Sequence, residues 1–175
     1  MDLNISGKWA LVTGGANGIG EEISREFAKE GVNLVVTSRT SGPIDKLKDN
    51  LLKYPIEVIG IEVDFLDANW IDDFEAKLKD IPIQILVNNA GHNLNITDPY
   101  CSIEDWNRIL ELNFFTAVRF SNLLIPRMKN AGWGRIVNIT SVAGVENMGP
   151  VTYGVAKASL TTYTRTMGRI LATEG

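Results

Sequence analysis

Cysteine and histidine are almost missing from this 175-residue sequence: Cys101 and His92 are each the sole example of their kind. One thiol cannot close an internal disulfide, which fits a reducing compartment. One thiol and one imidazole cannot build a thiolate–imidazole zinc site, so no metal is expected. No G-x-S-x-G elbow accompanies His92, which removes the usual setting of a hydrolase triad. No apolar run approaches the ~20 residues of a membrane span. The opening MDLNISGKW lacks the apolar core of a secretory signal. Charge is sparse and nearly balanced, with 17 Lys and Arg against 21 Asp and Glu for a net −4. That leaves no basic footprint for nucleic acid or an anionic membrane. Neither is expected as a partner, and a cytoplasmic location is.

Apolar residues make up 45% and charged residues 22%, the proportions of a globular chain rather than a disordered one. The length suits about one domain. No repeat, low-complexity tract or Pro/Gly/Ser linker divides it, so residues 1–175 read as a single unit. Short β-branched runs alternate with longer amphipathic segments. Strands are expected at Trp9–Thr13, Val32–Thr37, Val58–Val63, Ile83–Val87 and Arg135–Thr140. Helices are expected at Glu21–Lys29, at Pro43–Lys53, and from a cap at Asp67 to Lys79. A long helix should run from Ser102 to Asn130, interrupted only by Pro126, and a last one from Val151 to Thr173. A polar loop should span Ser141 to Pro150. Such alternation means βαβ units, right-handed crossovers and a doubly wound parallel α/β sheet. Ligands of such sheets bind at the carboxyl ends of the strands.

The first strand ends in Thr13-Gly14-Gly15-Ala16-Asn17-Gly18-Ile19-Gly20, and a helix follows at once. Gly14 can take the tight turn, Gly18 lets a phosphate reach the backbone, and Gly20 lets the helix lie close to the sheet. The helix start then offers free N–H groups and partial positive charge to an anion. The spacing is G-x-x-x-G-x-G, neither the G-x-G-x-x-G of long-chain dehydrogenases nor a Gly-Lys-Ser/Thr phosphate loop. Further along, the fourth strand ends in Asn88-Asn89-Ala90-Gly91, the third in Val63-Asp64 and the fifth in Asn138-Ile139-Thr140-Ser141. Tyr153 follows Ser141 by twelve residues, and Lys157 lies four beyond it on the same helix face.

These motifs, in this order, resemble the short-chain dehydrogenase/reductase family along the whole chain, in its single-domain, NADP-dependent, 3-oxoacyl-reductase-like form. The resemblance implies a Rossmann-like sheet of order 3-2-1-4-5. It implies a catalytic tetrad of Asn113, Ser141, Tyr153 and Lys157. It also implies a nucleotide site built from Gly14, Asn17, Gly18, Ile19, Gly20, Ser38, Arg39, Asp64, Asn88, Ala90, Gly91, Tyr153 and Lys157. Asn88 is expected by the adenosine ribose, Asp64 by the adenine, and Lys157 on the nicotinamide ribose. Asn113 is expected to hold a water linking Lys157 to solvent. A tyrosine phenol is a weak acid at neutral pH, and an adjacent ammonium favours its phenolate. Lys157 would thus tune Tyr153 as general acid in reduction and base in oxidation, with Ser141 on the substrate oxygen and hydride passing from the nicotinamide B face. His92, directly after Gly91, either faces the substrate or is a loop histidine without a role, and is left outside the catalytic set.

Strand two ends in Thr37-Ser38-Arg39, where an NAD site wants a carboxylate for the ribose 2′-hydroxyl. Ser and Arg suit a 2′-phosphate instead, which favours NADP over NAD. Against it, Asn17 stands where many NADP-preferring relatives carry a base. The expected reaction is hydride transfer between nicotinamide and a small carbonyl or secondary alcohol substrate. The alternatives are a nucleotide-binding fragment or module without turnover, and an extended-type epimerase or dehydratase. Members of the family continue into a sixth strand, a substrate loop and a seventh strand, so a C-terminally truncated copy without its substrate-binding part is expected. Trp106, Leu110, Phe114, Val118 and Ile125 on one long helix, and Leu160, Tyr163, Met167 and Leu171 on the other, suggest a homo-oligomer through the 103–130 and 151–173 helices.

Overall fold

A computed structural model describes residues 3–146 and 148–174 of the chain; Met1, Asp2, Asn147 and Gly175 lie outside the described residues. Five parallel strands form one sheet in the order β3-β2-β1-β4-β5. They are β1 (Trp9–Val12), β2 (Asn33–Ser38), β3 (Val58–Glu62), β4 (Ile83–Asn88) and β5 (Arg135–Asn138). The helices are α1 (Gly18–Lys29), α2 (Ser41–Leu51), α3 (Trp70–Lys77), α4 (Ile103–Leu110), α5 (Thr116–Asn130) and α6 (Val151–Leu171). The expected fold and strand order are both present.

Side chains alternate across the strands and bury both sheet faces. Ala10, Val12, Leu34, Val36, Ile85 and Val87 pack toward Ala28 of α1 and Ile44, Leu47 and Leu51 of α2. Leu11, Val35, Ile83 and Leu86 pack on the other side, toward α3 and α5. Four aromatic rings lock that second layer. Phe65 meets Trp70 edge-on at 4.8 Å between centroids, and Phe74 meets Phe120 at 5.0 Å.

Several boundaries depart from the sequence pattern for local reasons. Asp67 does not cap α3: its N–H bonds Asp64 O, and Asp64 Oδ1 takes Leu66 N–H, so these residues form a turn and the helix begins at Trp70. α1 starts at Gly18 rather than Glu21, so the helix begins inside the glycine turn. β5 stops at Asn138, two residues early, and its open edge leaves Val137 46% exposed. The helix from Ser102 is not interrupted at Pro126, which α5 accommodates in its interior. The irregularity lies instead at Glu111–Phe115, a wider π turn. There Asn113 Nδ2 donates to Ile109 O, the acceptor its own N–H would use in an α-helix, and Thr116 Oγ1 donates to Glu111 O.

Candidate active site

The carboxyl ends of β1, β2 and β4 are tied together by side chains at the strand termini. Thr13, 1% exposed, accepts at Oγ1 from Asn89 N–H at 2.9 Å and Ala90 N–H at 3.0 Å. Asn89 Nδ2 donates back to Thr13 O at 2.9 Å and Gly14 O at 3.2 Å. Gly14 N–H bonds Thr37 Oγ1 at 2.9 Å. These contacts hold the glycine turn in shape. Gly14 has φ +62°, which favours glycine, and a Cβ on Gly20 would fall 2.2 Å from Gly14 O. The helix therefore sits directly on the turn. Asn17 occupies its N-cap position, yet its side chain caps no N–H, so the first-turn donors are left to another acceptor.

Beside the turn runs a cleft of about 480 Å³. Gly14, Asn17, Ile19, Ser38, Arg39, Asp64, Ala90 and Gly91 line it, as do Ser141, Tyr153 and Lys157. Among the described residues, Arg39, Asp64 and Lys157 are its only ionisable lining besides His92 and Tyr153. Gly18 is exposed at the turn, with φ +52° and open space around it, while Gly20 is buried beneath. Asn88, expected by the adenosine ribose, stands apart from the lining residues. It is 4% exposed, does not line the cleft, and donates from Nδ2 to Asn138 Oδ1 at 2.7 Å. Asn138 in turn donates to Thr164 Oγ1, so the pair ties β4 and β5 to α6. A strand's two-residue alternation turns Asn88 away from the side Asn89 faces.

At the reacting end, Lys157 is 3% exposed and donates from Nζ to Ile139 O at 2.9 Å. Burial lowers its pKa from 10.5 to about 8. Its Nζ lies 5.7 Å from the centre of the Tyr153 ring. Ser141 Oγ accepts from Ala143 N–H at 3.2 Å, which leaves its own O–H to donate elsewhere. A Cβ on Gly91 would lie 2.7 Å from Asn113 Oδ1 and 3.0 Å from Lys157 Nζ, so a larger residue here would push on both side chains. Asn113 is 1% exposed, and its amide is committed. Oδ1 accepts from His92 N–H at 3.1 Å, and Nδ2 donates to His92 O and Ile109 O. Both of its amide hydrogens are thus used within the protein.

Residues 8–175 match the family described as short chain dehydrogenase. The chain belongs to that family. Its members include relatives of stated activity. The 3-oxoacyl-[acyl-carrier-protein] reductase FabG of Aquifex aeolicus is 31% identical over 98% of this chain and 71% of its own length. The very-long-chain 3-oxoacyl-CoA reductase of Bos taurus is 30% identical over 87% of this chain and 51% of its own. L-Sorbose reductase from Gluconobacter frateurii, solved with NADPH and L-sorbose, superimposes with a TM-score of 0.92 at 31% identity, over 99% of this chain and 68% of that one. This chain thus spans about half to seven tenths of these relatives' lengths.

As a short-chain dehydrogenase, the chain carries an oxidoreductase scaffold, and its turn fits a dinucleotide: uncapped N–H groups, open space at Gly18, and a lining of Asn17, Ser38 and Arg39. The sequence reading passed over Thr13, Thr37 and Asn89, which shape that site. The available signal was a polar residue ending each apolar strand, where buried hydroxyls and amides must find partners.

Proposed function

We propose that residues 1–175 act as one dinucleotide-binding unit of an NADP-dependent short-chain reductase acting on a small ketone or, in reverse, a secondary alcohol. The observation that carries this reading is the convergence of Ser141, Tyr153 and Lys157 on the cleft that also takes in the Gly14 turn, Ser38 and Arg39. A bound nicotinamide would supply hydride to the carbonyl carbon. Ser141 O–H donates to the substrate oxygen and orients it. Tyr153 passes its proton to that oxygen as the carbon is reduced, and takes it back in oxidation. The Lys157 ammonium favours the negative charge this leaves on the phenol, and its Nζ would also hold a ribose hydroxyl of the nucleotide. Ser38 and Arg39 supply donors for a 2′-phosphate, with no carboxylate at the end of β2 to repel it. Gly14, Asn17, Gly18 and Ile19 would hold the phosphates, with Gly20 beneath the turn, and Asp64, Ala90 and Gly91 would bound the adenosine and ribose.

Asn113 acts in this reading as the support of the β4 loop. Assembly follows the outer helices: Phe114 meets Tyr163 edge-on at 6.0 Å, joining the two apolar stripes. Phe115, Val151 and Val155, each more than 40% exposed, are left for a second copy. A free, half-buried Cys101 suits a reducing compartment such as the cytoplasm. The test is titration with NADPH and NADH, followed by nucleotide consumption with a panel of ketones. Tighter NADPH binding and ketone-dependent oxidation are expected. Binding of neither nucleotide, or binding without turnover of any ketone or alcohol, overturns the reading in favour of a scaffold without chemistry.

A further inference from the structure

The lone histidine is held with more care than a loop residue needs. Asn113 grips its backbone from both sides, taking His92 N–H at 3.1 Å and donating to His92 O at 2.9 Å. The ring is fixed as well. Leu94 N–H donates to His92 Nδ1 at 2.8 Å. A nitrogen that accepts an N–H cannot carry a proton, so the neutral imidazole bears its hydrogen on Nε2. That Nε2–H bonds no described residue, and His92 is exposed along the cleft it shares with Ser141, Tyr153 and Lys157. The loop reaches this geometry through strain. Leu94 has φ +53° and Asn95 φ +60°, and a leucine in the left-handed region persists only where its surroundings hold it. The same turn that strains Leu94 delivers its N–H to the imidazole.

Much of the cleft that His92 shares has an apolar wall. Leu94, Leu112 and Ile139 line it, and Lys157 is buried against Ile139 O. Arg39 and Asp64 flank the turn where a nucleotide would bind. Among the described residues lining the cleft, no exposed cation other than Arg39 is available to a substrate carboxylate or phosphate. A fixed neutral donor in such a wall selects a neutral acceptor.

We propose that His92 is a specificity-determining residue of the reductase read above, presenting Nε2–H to a second, neutral oxygen that the substrate carries close to its reacting carbon. The class is a ketone with a neighbouring ester, thioester, carbonyl or hydroxyl oxygen. This rests on the ketone-reductase reading. The test compares ethyl acetoacetate, which has that oxygen, with methyl butyl ketone, which lacks it, by NADPH consumption in the whole protein. His92→Leu is expected to lower the ratio of kcat/KM for the first over the second by about tenfold, the value of one neutral hydrogen bond. His92→Gln, which keeps an N–H donor, restores part of that ratio. Nitrogen NMR of the neutral ring is expected to report the Nε2–H tautomer. An unchanged ratio in His92→Leu, or an Nδ1–H tautomer, overturns the proposal. Failure of the parent to reduce either ketone overturns the reading beneath it, an outcome distinct from turnover that ignores residue 92.

Discussion

Lys157 is the residue whose burial most clearly opposes stability, and replacing it with methionine measures that cost. The side chain is 3% exposed, and burial takes its pKa from 10.5 to about 8. That gap corresponds to roughly 3 kcal/mol of resistance to charging in the folded state. Between about pH 8 and pH 10.5 the folded protein has lost this proton while the unfolded chain still holds it. The unfolded state binds more protons, so stability rises with pH across that window. Lys157→Met keeps an unbranched chain of similar length and removes the buried charge. It also leaves Ile139 O without its Nζ partner, a loss of about 1–3 kcal/mol. The net expectation near neutral pH is a more stable protein by about 1–2 kcal/mol that no longer turns over. Urea unfolding of parent and variant, near pH 7 and near pH 10, is the assay. The parent should gain about 2 kcal/mol on the variant over that range. Identical pH dependence in the two proteins, or a variant less stable at neutral pH, would refute the argument from burial.

Arg39→Asp should weaken NADPH binding by about one to two decades and NADH binding far less, because a carboxylate replaces a charge-assisted partner; equal losses by calorimetric titration count against a 2′-phosphate at this position. Gly20→Ala places a methyl 2.2 Å from Gly14 O, so unfolding should become easier by about 1–3 kcal/mol and nucleotide affinity should fall, whereas parental values for both would mean the turn yields freely. Sedimentation at micromolar concentration should give a dimer that Phe115→Asp dissociates, and a monomeric parent would remove the outer helices as an interface.

The strands and the glycine turn were legible because period-two apolar runs and a strand–turn–helix order each have few structural solutions. What remained hidden depended on register and on side-chain competition. Asn88 and Asn89 are neighbours in sequence, but the pairing of Asn88 with Asn138 across β4 and β5 decides which amide joins the sheet. The π turn at Glu111–Phe115 has no apolar signature, since it comes from Asn113 and Thr116 competing with backbone donors. Trp106, Leu110 and Phe114 recur as an apolar stripe in the sequence, but the edge-on meeting of Phe114 with Tyr163 of α6 follows only from the packing of the two helices. Ser141, Tyr153 and Lys157 could be named from the family resemblance, yet their common cleft depends on how β5, the Val142–Gly144 turn and α6 pack together.

In the proposed reaction Tyr153 moves the proton. Tyr153→Phe removes one hydroxyl and leaves the helix, Lys157 and the glycine turn in place. The measurement is kcat for ketone reduction beside NADPH affinity in the same preparation. The expected result is a fall in kcat of about a hundred- to ten-thousand-fold with nearly parental affinity. A variant that keeps parental kcat would contradict the mechanism outright.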